Sequence, residues 1–411
     1  SMASHILGFV ALDDTGYYGV EGFYDAELQG KPEVDNQSRI PFDATGGDGW
    51  QSGSDFYLTI DSEIQNLAEL TLADALQRTG AEGGTLIVLQ PRTGEVLAMA
   101  SLPNFDPNLF AAQDGRLFEN PAISQQYEPG SVMKAITMAI ALQEGVVTPQ
   151  TTYTDNGIIE VGGAEIYNWD RAAHGVVDMT TLLSKSLNVG AAWLTLNMGP
   201  TRFYDGLESF GFGQRTGIDL EGEIGGSVRR PGNANWYESD LGTNAFGQGM
   251  AATPLQVAVA MGAIANDGLV MQPRMAASRV DADGTVTEFE PTVLGRAISA
   301  ETAHTLREML AKALETEASP ALVPGYRIAG KTGTSEIPVP GGYDPEKTIG
   351  SFVGFGPVDD PAFVVLVKLD RPTSSRWGSE TAAPIFGEFV SRLVVLMEIP
   401  PDDVRLAATG G

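Results

Sequence analysis

The chain has 411 residues, 43% of them hydrophobic and 19% charged, an ordinary globular composition that excludes extended disorder and leaves room for one large domain with a smaller companion. Its formal net charge of −28 repels phosphate backbones and so argues against a nucleic-acid partner. The absence of cysteine removes disulfides, thiolate metal sites and cysteine nucleophiles together, and no run of apolar residues is long enough to span a bilayer.

Ser1-Met2 reads as a cleavage scar, and the start at His5-Ile-Leu-Gly-Phe, without a signal peptide, reads as a truncation. Residues 5 to about 52 carry Gly, Asp and short apolar pairs with no helical period, which predicts short strands and turns left over from another module. Asp61 or Ser62 is placed to cap a helix running through Ile64, Leu67, Ala68 and Leu72. A hairpin follows, with a strand over 84–90, a turn at Pro91-Arg-Thr-Gly94 and a return over 95–100.

Segments 131–144, 179–198 and 254–267 are apolar on several faces, as helices buried in a domain centre are. Thr253-Pro254 caps and opens the third, and Asn266-Asp-Gly268 closes it. Residues 300–317 form an amphipathic helix with Leu306, Met309, Leu310 and Leu314 on one stripe. Strand-like runs over 326–334, 348–356 and 362–370 precede a last helix over about 380–397. Strands that open a domain, helices that fill it and strands that return imply an α+β fold, with a mostly antiparallel sheet covered by helices.

The stretch Gly325-Tyr-Arg-Ile-Ala-Gly-Lys-Thr332 satisfies the pattern of a phosphate-binding loop. That loop needs a strand before its first glycine and a helix after it. Here Pro324 precedes, and Gly333, Pro338, Pro340, Gly341 and Gly342 follow, so no helix can start. The Gly247-Gln-Gly249 run imitates a dinucleotide fingerprint but follows polar residues rather than a strand. Read from Lys331 instead, Lys331-Thr-Gly-Thr334 is one of three elements of a serine acyl-transfer site. Ser131-Val-Met-Lys134 puts a hydroxyl at a helix N-terminus with an amine one turn on, and the helix dipole favours a developing oxyanion. That amine can act as the base, provided burial lowers its pKa enough to leave it partly neutral. Ser186-Leu-Asn188 adds a hydroxyl to relay a proton and an amide to hold a peptide group. Lys331 adds a second cation, Thr332 and Thr334 add hydroxyls for a carboxylate, and Gly333 lets substrate approach the strand. The first two motifs carry little weight alone and Lys-Thr-Gly-Thr alone is suggestive; all three in this order are hard to obtain by accident.

With these motifs, the sequence resembles the transpeptidase domain of a class B (monofunctional) penicillin-binding protein. The resemblance extends to Gly16-Tyr-Tyr-Gly-Val-Glu21, Leu58-Thr-Ile-Asp61, Gly94-Glu-Val-Leu-Ala-Met-Ala100, Pro103-Asn-Phe-Asp-Pro-Asn108, Asn168-Trp169, Thr253-Pro-Leu-Gln256 and Phe352-Val-Gly-Phe355. It implies a five-stranded sheet with a helical subdomain. It also implies a remnant of a non-catalytic module over 1–52, the transpeptidase domain over 53–398 and a tail over 399–411. The activity implied is peptidoglycan D,D-transpeptidation, in which Ser131 attacks the D-Ala-D-Ala end of a stem peptide, Lys134 is the base, Ser186 the relay and Asn188 a substrate holder. Lys331, Thr332 and Thr334 would hold the terminal carboxylate, and the backbone N–H groups of Ser131 and Thr334 would form the oxyanion hole. The resemblance further implies acylation by β-lactams, no cofactor or metal, other cell-wall synthesis proteins such as a glycosyltransferase as partners, and an extracytoplasmic domain held by a membrane anchor absent from this chain. Trp377 is placed to roof the site, although rim packing explains it equally well. His174 is expected to be structural and His304 solvated, and Met250, Met261 and Met271 to fill the core. The competing readings are a D,D-carboxypeptidase or β-lactamase-like hydrolase at the same site, a non-catalytic β-lactam-binding scaffold or sensor, and a nucleotide hydrolase.

Overall fold

A computed structural model describes residues 1–32, 50–317 and 319–409. Helix α1 (Ser62–Thr79) starts at Asp61, whose carboxylate accepts from the backbone N–H of Glu63 and Ile64 at 2.9 and 3.0 Å, and ends at Gly80 in the left-handed conformation. Strands β1 (Gly83–Leu89) and β2 (Val96–Leu102) form the expected hairpin. The first central segment is a 3₁₀ turn at Gly130–Val132 that runs into α2 (Met133–Gln143), buried along nearly its whole length.

Two small hairpins that the sequence did not announce follow. Thr152–Asp155 pairs with Gly175–Asp178, and Ile158–Val161 with Ala164–Tyr167. The expected helical region 179–198 is two helices, α3 (Met179–Ser184) and α4 (Asn188–Met198), broken where Ser186 takes a φ of 55°. A non-glycine residue in that conformation cannot continue a right-handed helix. Helix α5 (Pro254–Ala265) begins in a capping box of Thr253 and Gln256 and ends at Asn266. It lies against α6 (Ala300–Thr316) in the larger core.

The remaining strands are β3 (Ala329–Val339), β4 (Gly342–Gly356) and β5 (Phe363–Asp370), before α7 (Ala382–Leu396). The sheet order β3-β4-β5-β1-β2 is antiparallel throughout, the five-stranded arrangement expected. The β3-β4 hairpin continues through 338–348, which the sequence reading left as a loop. A register shift between Glu336 and Pro338 accommodates the proline.

Strict alternation sends the two faces of the sheet into different cores. Leu86, Val88, Val365, Val367 and Leu369 pack against α1 and α7. Ile87, Leu89, Val364, Leu366 and Val353 face α2, α5 and α6, where Met250 and Met261 are buried as expected; Met271 is buried as well.

Two terminal expectations need correction. Within 4–32 the structure has short helical turns, Ser4–Leu7, Gly19–Phe23 and Asp25–Leu28, besides strands; each is too short to display a helical period. Residues 33–49 of the segment read as a module remnant lie outside the described residues. The stretch read as a tail carries α8 (Asp402–Thr409), tied down where the Asp402 carboxylate accepts from the backbone N–H of Arg327 at 2.6 Å and Tyr326 Oη donates to the Ile399 carbonyl at 2.7 Å.

Candidate active site

Between the sheet and the helical half lies a cleft of about 970 Å³, lined by Ser131, Ser186, Asn188, Lys331, Thr332 and Thr334 among others. Its floor is the start of α2. Gly130, at φ 62°, turns the chain so that Ser131 faces the cleft, half-buried, with Lys134 one turn behind it. The opposite wall is β3, the edge strand of the sheet. The break between α3 and α4 forms the third side and points Ser186 at both others.

The Lys134 amine is 1% exposed and has four oxygens around it. It lies 3.0 Å from Ser131 Oγ, 3.1 Å from Ser186 Oγ and 2.7 Å from Asn188 Oδ1, and it also contacts the Ser186 carbonyl. Two of these, the carbonyl and the amide oxygen, can only accept. A neutral amine has two N–H groups to give them, which leaves its lone pair for the Ser131 hydroxyl proton. Burial first, and the neighbouring Lys331 second, hold the Lys134 pKa well below the usual lysine value, which shifts the amine toward its neutral form. The arrangement therefore supplies a base in contact with a serine at a helix N-terminus.

Lys331 is 4% exposed and reaches Ser186 Oγ at 3.1 Å and Thr332 Oγ1 at 3.2 Å. Burial lowers its pKa to about 8, against an upward pull from Glu317. Ser186 Oγ thus sits between two amines, a geometry that can pass a proton in either direction. Asn188 is held by its own Nδ2, which donates to the Tyr167 carbonyl at 3.0 Å.

The hairpins of residues 152–178 supply supports that the sequence reading missed. Asn168 Oδ1 accepts from the Val189 N–H at 3.1 Å, and its Nδ2 donates to the buried Asp155 at 2.8 Å. Phe246 places its ring centroid 6.0 Å from the Lys134 ammonium position. The alternation of Thr152–Asp155 and the Gly162-Gly163 turn were the available signals for these elements.

Trp377 lines the cleft and meets Trp169 at 5.6 Å between centroids, edge to face. Trp169 is fixed by its Nε1, which donates to the Lys185 carbonyl at 3.1 Å. Thr334 Oγ1 accepts from the Gly378 N–H at 2.9 Å, so this threonine also holds the Trp377 loop. His174 borders the cleft in a 3.1 Å contact with Asp170, and His304 is exposed.

Gly333 does not serve the purpose expected of it. A Cβ there would stand 2.3 Å from Ser351 Oγ, 2.9 Å from Val132 Cγ2 and 3.0 Å from the Pro129 carbonyl. Its missing side chain lets β3 close against the serine turn from behind, and does not face the cleft. Nor does Gly325–Thr332 form a phosphate loop, because β3 continues straight through it. Among the described residues no group of three or more His, Asp or Glu side chains is placed to hold a metal ion.

Residues 84–391 match the family model described as the penicillin binding protein transpeptidase domain. The chain is 35% identical over 405 residues to stage V sporulation protein D of Bacillus subtilis, covering 95% of this chain and 62% of that protein. It is 36% identical to penicillin-binding protein PbpB of Mycolicibacterium smegmatis, covering 97% and 64%. The chain therefore spans less than two thirds of the length of these curated relatives. The crystal structure of apo penicillin binding protein 3 (PBP3) from Mycobacterium tuberculosis superposes with a TM-score of 0.86 at 34% identity, over 97% of this chain and 90% of that one. The same protein has been solved complexed with ampicillin, with a TM-score of 0.86, 34% identity and 97% and 88% coverage.

Proposed function

This chain belongs to the penicillin-binding protein transpeptidase family, and we propose that it is a peptidoglycan D,D-transpeptidase acting through an acyl-enzyme on Ser131. The observation that carries the reading is the contact of Ser131 Oγ with the buried amine of Lys134, itself ringed by Ser186 and Asn188.

In this reading the stem peptide lies along the edge strand β3, with its terminal carboxylate toward Lys331, Thr332 and Thr334. Lys134 takes the Ser131 proton as Oγ bonds to the carbonyl carbon of the penultimate D-Ala. The backbone N–H groups of Ser131 and Thr334 receive the oxyanion. Collapse breaks the peptide bond, and the proton passes from Lys134 through Ser186 Oγ to the leaving amine of the last D-Ala. An amine from a neighbouring stem peptide then attacks the acyl-enzyme, giving its proton back along the same route and freeing Ser131. β-Lactams enter by the first step and stay on the serine, because their leaving group remains tethered. Asn188 and the Trp169–Trp377 pair flank the substrate.

The proposal extends to residues 53–398 as the catalytic domain and to the extracytoplasmic face as its place of work, where peptidoglycan lies. Membrane anchoring and association with a glycan-polymerising partner belong to the same proposal. Among the described residues no helix is long and apolar enough to cross a membrane.

Incubation with uncross-linked nascent peptidoglycan tests the assignment against its hydrolytic rival. Cross-linked muropeptide dimers that disappear with Ser131→Ala support it. Release of D-Ala without dimers would assign a carboxypeptidase instead.

A further inference from the structure

Among the described residues three lysines are buried, and the mechanism uses two of them. The third, Lys368 on β5, is 3% exposed and has no part in the chemistry above. It lies on the same face of the sheet as Lys331, and the sheet register shows how unusual its surroundings are. The row through Lys331 continues as Val353, Leu366, Ile87 and Met99, apolar beyond its first member. The next row, through Gly333, continues as Ser351, Lys368, Thr85 and Ser101, all of them buried. A face that is otherwise aliphatic turns polar directly behind the serine turn.

The charge in this row is oriented. The Lys368 ammonium pairs with Asp370 and lies 5.2 Å from the ring centroid of Tyr127. Tyr127 is buried and leads into Glu128-Pro-Gly-Ser131. Its backbone exchanges two hydrogen bonds with Ala252, at 3.0 and 2.9 Å. Its hydroxyl meets that of Ser351 outside regular hydrogen-bond geometry, and Ser351 Oγ in turn fills the space that a Gly333 side chain would need. An aliphatic side chain at position 368 would fill the same volume without desolvating a charge, so the lysine costs stability that packing alone does not recover.

We propose that Lys368 is a positioning residue for Ser131. Its ammonium grips the Tyr127 ring through a cation–π contact and, with Ser351, sets how far the serine turn stands from β3. Ser131 Oγ then meets the Lys134 amine and a carbonyl lying on β3 at the same time. This inference rests on the acyl-transfer reading of the site.

The test is stopped-flow acylation of the full chain by a chromogenic penicillin, resolving the half-saturating concentration from the limiting acylation rate. Lys368→Met and Tyr127→Leu should each lower the limiting rate by about tenfold or more, with half-saturation unchanged, as a small misplacement of a nucleophile does. The double variant Lys368→Met/Tyr127→Leu should be no slower than the slower single variant, because both break one contact. Lys368→Met/Asp370→Asn should stay slow. Parent-like acylation by either single variant, multiplied losses in the first double variant, or recovery in the second would overturn the proposal, the last by tracing the loss to an orphaned Asp370 charge. Tyr127→Leu, which leaves the ion pair intact, carries the test by itself if Lys368→Met does not fold. A parent that penicillin does not acylate would instead count against the proposed function.

Discussion

Replacing Lys331 with methionine should move the pH profile of acylation toward alkali. Both lysine ammonium positions lie 3.1 Å from Ser186 Oγ. They are therefore no more than about 6 Å apart, and two charges at that distance repel by about 3 kcal/mol at an effective dielectric constant of 20. That repulsion acts in the same direction as burial and holds the Lys134 pKa down further while Lys331 is charged. Lys331 itself titrates at about 8 and is mostly protonated at neutral pH, so most of this effect operates there. The active form of Lys134 is the neutral one, and acylation rises as pH climbs through its pKa. Removing the Lys331 charge raises that pKa and shifts the rising limb toward alkali, with a loss of about tenfold or more at a pH below both midpoints. The assay is the second-order rate constant for acylation by a fluorescent penicillin between pH 5 and 10. The lost hydrogen bond to Ser186 lowers the plateau as well, but a plateau change leaves the midpoint alone. An unmoved midpoint in Lys331→Met would refute the electrostatic coupling and reduce Lys331 to a binding residue.

Gly333→Ala should destabilise the fold by about 1–3 kcal/mol and slow acylation, because its Cβ would strike Ser351 Oγ and the serine turn. Adding Ser351→Ala, which removes the nearest colliding atom, should recover part of the loss in thermal midpoint. Asp155→Ala, behind the cleft wall, should cost about 1–3 kcal/mol by taking an acceptor from the Asn168 Nδ2 and from the Gly157 N–H, and should slow acylation through the displaced start of α4; denaturant unfolding and the same penicillin assay read both effects. If acylation is unchanged in Asp155→Ala, Asn168 does not support the site.

Much of the site was legible because its residues are punctuated by local chemistry. Asp61 and Thr253-Pro254 mark helix starts by side-chain caps, which short-range sequence reveals. The three motifs could be recognised because each pairs a residue type with a position on a helix or strand. What escaped was decided at long range. The break at Ser186 is a left-handed turn in an otherwise apolar helical run, and only the neighbouring Asn168 and Lys134 explain why it pays to interrupt that run there. Gly333 was read as an opening toward substrate, because a strand pattern cannot say which face a missing side chain serves. The β3-β4 hairpin hid behind Pro338, Pro340 and two glycines, whose turn signals masked a strand carried past a register shift. Lys368 interrupts an otherwise aliphatic strand, and only the register, which no local pattern fixes, aligns it with Ser351 and Thr85.

The central claim, a serine made nucleophilic by a buried lysine, is tested most directly by intact mass spectrometry after exposure to a penicillin. The parent should gain the mass of one drug molecule, mapped to Ser131 and persisting for many minutes, while Ser131→Ala gains none and Lys134→Ala gains it far more slowly. An adduct that survives Ser131→Ala, a parent that stays unmodified, or a Lys134→Ala variant that reacts at the parental rate would contradict the account.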